Sequence, residues 1–222
     1  MVDMIKLVIF DLDGTLIDSL GDLTNAVEYA LAENGYPPNP RDSYRYLVGN
    51  GALKLIERAL PKGASEEEIK RVHKAFSERY REHCLELTKP YPGIEDMLRR
   101  LNESGIKLAV ASNKPDEFSK QIVTALFGDD KFDTVHGKPE GVPTKPSPDI
   151  IYSIMDELGV SAEETVLVGD SDVDVETAQG AGLKCIGCAW GFRGTDELRR
   201  AGADKIALNS DELTDIILEA AE

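Results

Sequence analysis

The chain is poor in the residues that would mark a secreted, thiolate-metal or nucleic-acid-binding protein. Three cysteines in 222 residues, Cys84, Cys185 and Cys188, are too few for a disulfide framework. Cys185 and Cys188 form a CxxC, but in an extended segment residues three apart point to opposite faces and cannot share a metal. They are expected as buried small hydrophobes. With only His73, His83 and His136, a histidine-built zinc or phosphohistidine site finds little support. Basic residues are also scarce, 25 Lys and Arg against 41 Asp and Glu, for a net charge of -16. Nucleic-acid binding rests on a basic face that releases counterions, so no nucleic acid is expected as a partner. The apolar run at 7–10 is too short for a signal peptide, so a cytoplasmic location and no membrane partner are expected.

Several phosphate and metal motifs are missing too. No GxxxxGK[ST] occurs, no cysteine has an arginine six residues later, and residues 180–185 are not GxGxxG. A calcium loop counted from Asp170 would need glycine and glutamate where the chain has Val175 and Ala181, and one counted from Asp11 would need glycine at Leu16. Both fail.

What is present is an ordinary globular composition, 41% hydrophobic and 30% charged. Short apolar runs at 7–10, 108–111, 165–168 and 185–189, with weaker ones at 132–135 and 206–208, read as buried parallel strands. Helical patterns at 94–101, 118–127 and 150–158 alternate with them, each followed by a glycine stop at Gly105, Gly128 or Gly159. The pattern predicts an α/β fold, a doubly wound parallel sheet. Residues 18–89 interrupt the alternation with helices alone, so the expectation is a core of 1–17 and 90–222 with an inserted α-helical cap at 18–89. In that insert Ser65 and Glu68 make a capping box, and Ile69, Val72, Phe76 and Tyr80 form one apolar face, expected to be structural. Pro90 and Pro92 stiffen the return to the core.

Ligands of open α/β sheets bind beyond the carboxyl ends of the strands. There the chain places Asp11 and Asp13 after the first run, Ser112 and Asn113 after 108–111, Lys145 in the region following 132–135, and Asp170, Asp172 and Asp174 after 165–168. Any one acidic group could be a cap or turn residue. Together they present oxygen donors suited to a hard cation such as Mg²⁺, with a lysine beside them. The negative field of the whole chain repels a phosphate ester, so a phosphate site requires such a local cation.

In order along the chain, FDLDGTLIDS (10–19), VASNK (110–114), TKPSP (144–148) and VGDSDVD (168–174) resemble the four motifs of the haloacid dehalogenase superfamily. The resemblance spans nearly the whole chain and implies its Rossmann-like core. By that resemblance Asp11 is the nucleophile and a Mg²⁺ ligand, and Asp13 is the general acid/base with its main-chain carbonyl on the metal. Asp170 is the further metal carboxylate and Asp174 supports the metal shell. Ser112, Asn113 and Lys145 fall in the phosphate-binding positions, while Asp172 has no assigned role.

The implied reaction is Mg²⁺-dependent hydrolysis of a small phosphorylated metabolite through an aspartyl-phosphate. The helical insert resembles the substrate-choosing cap of one branch, and LVGNGALKLIERAL (47–60), PYPGI (90–94) and AWG (189–191) are similar to phosphoglycolate phosphatases. Arg45, Asn50 and Lys54 are then candidate partners of a substrate carboxylate, although GNG is also a good turn sequence. A β-phosphoglucomutase-like mutase shares these motifs and stays open as an alternative. A phospho-aspartate signalling switch fits less well, because its modules lack an acid/base two residues after the phosphorylated aspartate.

Overall fold

Strands buried on both faces need apolar residues in both alternating sets, and the first run supplies them. In the computed structural model, which describes residues 4–138 and 141–221, β1 (Leu7–Phe10) is wholly buried at the middle of the sheet. After it come β2 (Ile17–Asp18), α1 (Leu20–Glu33), α2 (Tyr44–Leu47), α3 (Ala52–Ala59), α4 (Glu66–His83) and β3 (Lys89–Pro90). The chain continues through α5 (Ile94–Glu103), β4 (Lys107–Pro115), α6 (Asp116–Phe127), β5 (Thr134–Lys138) and α7 (Asp149–Leu158). It ends with β6 (Thr165–Gly169), α8 (Asp172–Ala181), β7 (Lys184–Cys188), α9 (Thr195–Ala201), β8 (Lys205–Ala207) and α10 (Ser210–Glu219).

Six strands pair in the order β5-β4-β1-β6-β7-β8, every pair parallel. The two-residue period of the strands sorts their side chains into two cores. Val8, Phe10, Val110, Val168 and Cys188 meet α5, α6 and α10 on one face, whereas Leu7, Ile9, Ala111, Leu167 and Cys185 meet α7, α8 and α9 on the other. Cys185 and Cys188 thus lie on opposite faces, free and buried as their spacing requires.

Two strands differ from expectation by more than a residue: β4 runs on to Pro115 instead of ending near 111, and β5 is displaced. β5 occupies Thr134–Lys138 instead of 132–135; Phe132 precedes it, with its ring edge-on to Phe127 at 5.8 Å.

The helices α1 to α4 leave and rejoin the sheet through an antiparallel ribbon, in which Ile17 pairs with Pro90 and Asp18 with Lys89. Asp22 in α1 secures the return: its carboxylate accepts from the Leu87 and Thr88 amides and from the Thr88 hydroxyl. Along α4 the capping box of Ser65 and Glu68 is formed, and Val72, Phe76 and Tyr80 are buried. None of the described helices is long and apolar enough to cross a membrane.

Candidate active site

Parallel strands point their carboxyl ends the same way, so the polar residues following β1 and β6 and those in the last part of β4 converge on one cavity of about 50 Å³. Its floor includes Asp11, Asp13, Ser112, Lys145, Asp170 and Asp174, and Val48, Ala52, Leu55, Phe76 and Tyr80 of the helical segment form its roof. Of the charged lining side chains, Asp11, Asp13, Asp170 and Asp174 are acidic and Lys114, Lys145 and Arg193 basic. Four against three leaves a formal balance of -1.

Lys145 is the hub of the floor. Its buried ammonium donates to Asp11 Oδ1 at 2.8 Å and to Asp174 Oδ1 at 2.7 Å, and these carboxylates raise its pKa against the opposing cost of burial. Asp174 is doubly used, since its Oδ2 also accepts from the Ser171 amide and hydroxyl at the N-terminus of α8. Burial pushes Asp11 up to about 7, with Lys145 opposing and Asp174 and Asp13 adding to the rise.

Asp170 is 3% exposed and its pKa is raised well above the ordinary carboxylate range, first by burial and then by Asp174 and Asp11. Its Oδ2 accepts from the Phe192 amide at 2.7 Å. A carboxylate buried beside other carboxylates is costly without a counter-charge. Oxygens of Asp11, Asp170 and Asp174 lie within 4.8 Å of one another, and an all-oxygen donor set of this kind fits a hard divalent cation. Both oxygens of Asp174 already accept hydrogen bonds, whereas Asp11 accepts through Oδ1 and Asp170 through Oδ2.

Asp13 is held from two sides. Ser19 donates its hydroxyl to Oδ1, and the Lys114 ammonium lies 3.1 Å from Oδ2. Lys114 also donates to the Tyr80 hydroxyl at 2.8 Å and sits 4.5 Å from the centre of that ring. Burial raises the pKa of Tyr80 strongly. Ser112 is buried, and its Oγ accepts from the Lys114 amide at 3.2 Å.

Asn113, expected in a phosphate-binding position, commits its carboxamide to protein. Oδ1 accepts from the Lys145 amide at 2.7 Å, while Nδ2 donates to the Lys145 carbonyl at 3.0 Å and to the Gly49 carbonyl at 2.9 Å. It therefore ties the roof to the lysine loop. Asp172 is half-buried at the first turn of α8, where its carboxylate accepts from the Val173 amide.

The structure does not bring Arg45, Asn50 and Lys54 to the cavity lining. Arg45 is exposed on α2. Asn50 accepts from Arg58 at 2.7 Å. Lys54 pairs with Glu57 on the outer face of α3, 56% exposed, because Ala52 and Leu55 take that helix's inward face.

Beside Lys145, the cations that do line it are Lys114 and Arg193. Arg193 donates to the Val48 carbonyl at 2.8 Å and lies 5.6 Å from the centre of the Tyr46 ring. Lys114 was legible only as the last residue of VASNK, and Arg193 follows the AWG segment without a signal of its own. Tyr80 continues the apolar stripe of α4, which both packs the core and lines the cavity.

Known proteins resemble this chain over most of its length. Residues 8–188 match the profile of the family described as haloacid dehalogenase-like hydrolase. A phosphoglycolate phosphatase of Pseudomonas putida is 37% identical over 192 residues, 84% of this chain and 70% of the relative. One from Aquifex aeolicus is 37% identical over 187 residues, covering 84% and 86% respectively. Among solved structures, CbbY from Rhodobacter sphaeroides in complex with phosphate superposes with a TM-score of 0.79 at 31% identity, over 95% of this chain and 96% of that one.

Proposed function

We propose that this chain, which belongs to the haloacid dehalogenase-like hydrolase family and is a phosphoric monoester hydrolase, acts on phosphoglycolate through an aspartyl-phosphate on Asp11. The observation that carries the reading is Lys145 bridging Asp11 and Asp174 beside Asp13 in a roofed cavity. A nucleophile, a cation and an acid/base stand together where solvent is restricted. The names of the relatives point the same way.

In the first half-reaction an oxygen of Asp11 attacks phosphorus, the bond from phosphorus to the leaving oxygen breaks, and Asp13 gives that oxygen its proton. In the second, Asp13 takes a proton from water as the water oxygen attacks phosphorus, which releases inorganic phosphate and restores Asp11. Lys145 and Ser112 hold the equatorial phosphoryl oxygens, so that their positions are set before charge develops. Asp11, the main-chain carbonyl of Asp13 and Asp170 would hold Mg²⁺, with Asp174 in support. When bound, the cation offsets the repulsion between a carboxylate nucleophile and a phosphate dianion.

The test is hydrolysis of phosphoglycolate, sugar phosphates and nucleotides with and without Mg²⁺, by the wild type and by Asp11→Asn. Activity should require Mg²⁺, favour phosphoglycolate, and fall by several orders of magnitude in the variant. A variant retaining more than about a tenth of wild-type turnover would remove Asp11 from the nucleophile position. A sugar phosphate or nucleotide preferred tenfold or more would remove phosphoglycolate as substrate.

A further inference from the structure

We propose that Lys114 is the specificity-determining cation of this cavity: its ammonium binds a carboxylate on the leaving group, with the roof residue Tyr80 holding it in position. The inference rests on the phosphatase reading above and names the feature by which that site selects its substrate.

The two buried lysines of the cavity are built alike. Lys145 has two protein partners, Asp11 and Asp174, and Lys114 has two, Asp13 and Tyr80. An ammonium carries three N–H donors, so each lysine keeps one beyond its protein partners. That of Lys145 lies beside the nucleophile, at the phosphoryl end. The donor of Lys114 lies beside Asp13, which protonates the leaving oxygen, and therefore at the end that differs between substrates.

The surroundings make this cation selective. Leu23, Leu55, Phe76 and Phe118 line the same cavity, and the Lys114 side chain is only 4% exposed. An anionic group moved from water into such an apolar chamber loses hydration unless it meets a charged donor. Arg193 has its guanidinium on the Val48 carbonyl and against Tyr46, and Lys54 is paired outside the cavity. Of the lining cations only Lys114 and Lys145 touch the reacting carboxylates, and Lys114 is the one on Asp13, so its reach limits selection to an anionic group close to the leaving oxygen.

The experiment compares phosphoglycolate with ethyl phosphate, an ester that has the same two carbons and no carboxylate. The wild type should prefer phosphoglycolate. Lys114→Gln keeps hydrogen-bond donors toward Asp13 and Tyr80 but removes the charge, so kcat/KM for phosphoglycolate should fall about 10- to 150-fold more than that for ethyl phosphate. Any loss that comes from disturbing Asp13 is common to both esters and cancels in their ratio. Tyr80→Phe, which keeps the charge and the packing but frees the ammonium, should lower the same ratio to a smaller extent, and it serves as the test if Lys114→Gln does not fold. An equal loss on both esters in these variants, or a wild type that hydrolyses both equally well, overturns the role of Lys114. A wild type that hydrolyses neither ester nor any other phosphate monoester would instead reject the phosphatase reading.

Discussion

Asp170 depends on two glycines that come to it from distant parts of the chain. A Cβ on Gly191 would lie 2.2 Å from Asp170 Cβ and 2.6 Å from its Oδ2, and one on Gly14, whose φ is +90°, would lie 2.5 Å from the same Oδ2. Both contacts are far inside van der Waals range, so the carboxylate keeps its position only while these residues lack side chains. Gly191→Ala should push Asp170 aside and weaken Mg²⁺ binding about 10- to 100-fold, the range seen when the surroundings of a metal ligand are disturbed. Activity titrated against Mg²⁺ would show this as a higher half-saturation point. Gly180→Ala is the control: this residue is exposed near the end of α8, its Cβ meets nothing closer than 3.7 Å, and the half-saturation point should stay where it is.

At the scale of elements, β4 does more than its apolar run announces. The strand continues to Pro115, but its register with β5 shifts between Ala111 and Pro115. Strict alternation would send Asn113 to the face opposite Ser112 and Lys114; with the shift, all three line the cavity. A bulge of this kind re-aims side chains at sites. Its consequence is the Asn113 carboxamide joining the roof at Gly49 to the loop of Lys145. Asn113→Ala leaves the Lys145 amide without its acceptor, at a cost of about 1 to 3 kcal/mol in stability. Because it acts through Lys145, it should lower kcat/KM for phosphoglycolate and ethyl phosphate by the same factor. Urea denaturation and steady-state kinetics on both esters check the two halves, and a loss confined to phosphoglycolate would contradict the assignment.

At the scale of the molecule, the parallel sheet gathers four carboxylates into one partly closed space, against the mutual repulsion of their charges. In the cation-free protein, the raised pKa of Asp11, about 7 against an unfolded value of 3.8, has a definite sign. Its stabilising contribution is fully present below the unfolded value and is lost as pH rises through the folded one. Asp170 is raised by the same burial and repulsion. Mg²⁺ relieves the ionised forms, so a fixed Mg²⁺ concentration should raise Tm more at pH 8 than at pH 5. At about a hundred times its Kd the cation adds roughly 2.7 kcal/mol, or roughly 5 to 10 °C for a chain of this size. Calorimetry with Mg²⁺ and with a chelator at the two pH values measures it, and a larger gain at pH 5 would contradict the assignment of these carboxylates to the cation.

Much of this was determined by sequence alone, because it depends on local pattern. Runs such as LVIF fill both faces of a strand, Ser65 with Glu68 starts a helix, and the acidic groups follow the strand ends directly. The spacing of Cys185 and Cys188 likewise decided their opposite faces. The residues of the roof were not legible in the same way. Whether Arg45 or Lys54 reaches a cavity depends on which face of a one- or two-turn helix turns inward, and Tyr44, Ala52 and Leu55 took that face. Lys114 meets Tyr80 from 34 positions away, and Arg193 meets Val48 from 145. Contacts over such separations are set by how the helices pack on the sheet and by the shift in β4, so only the tertiary structure decided which cations line the cavity.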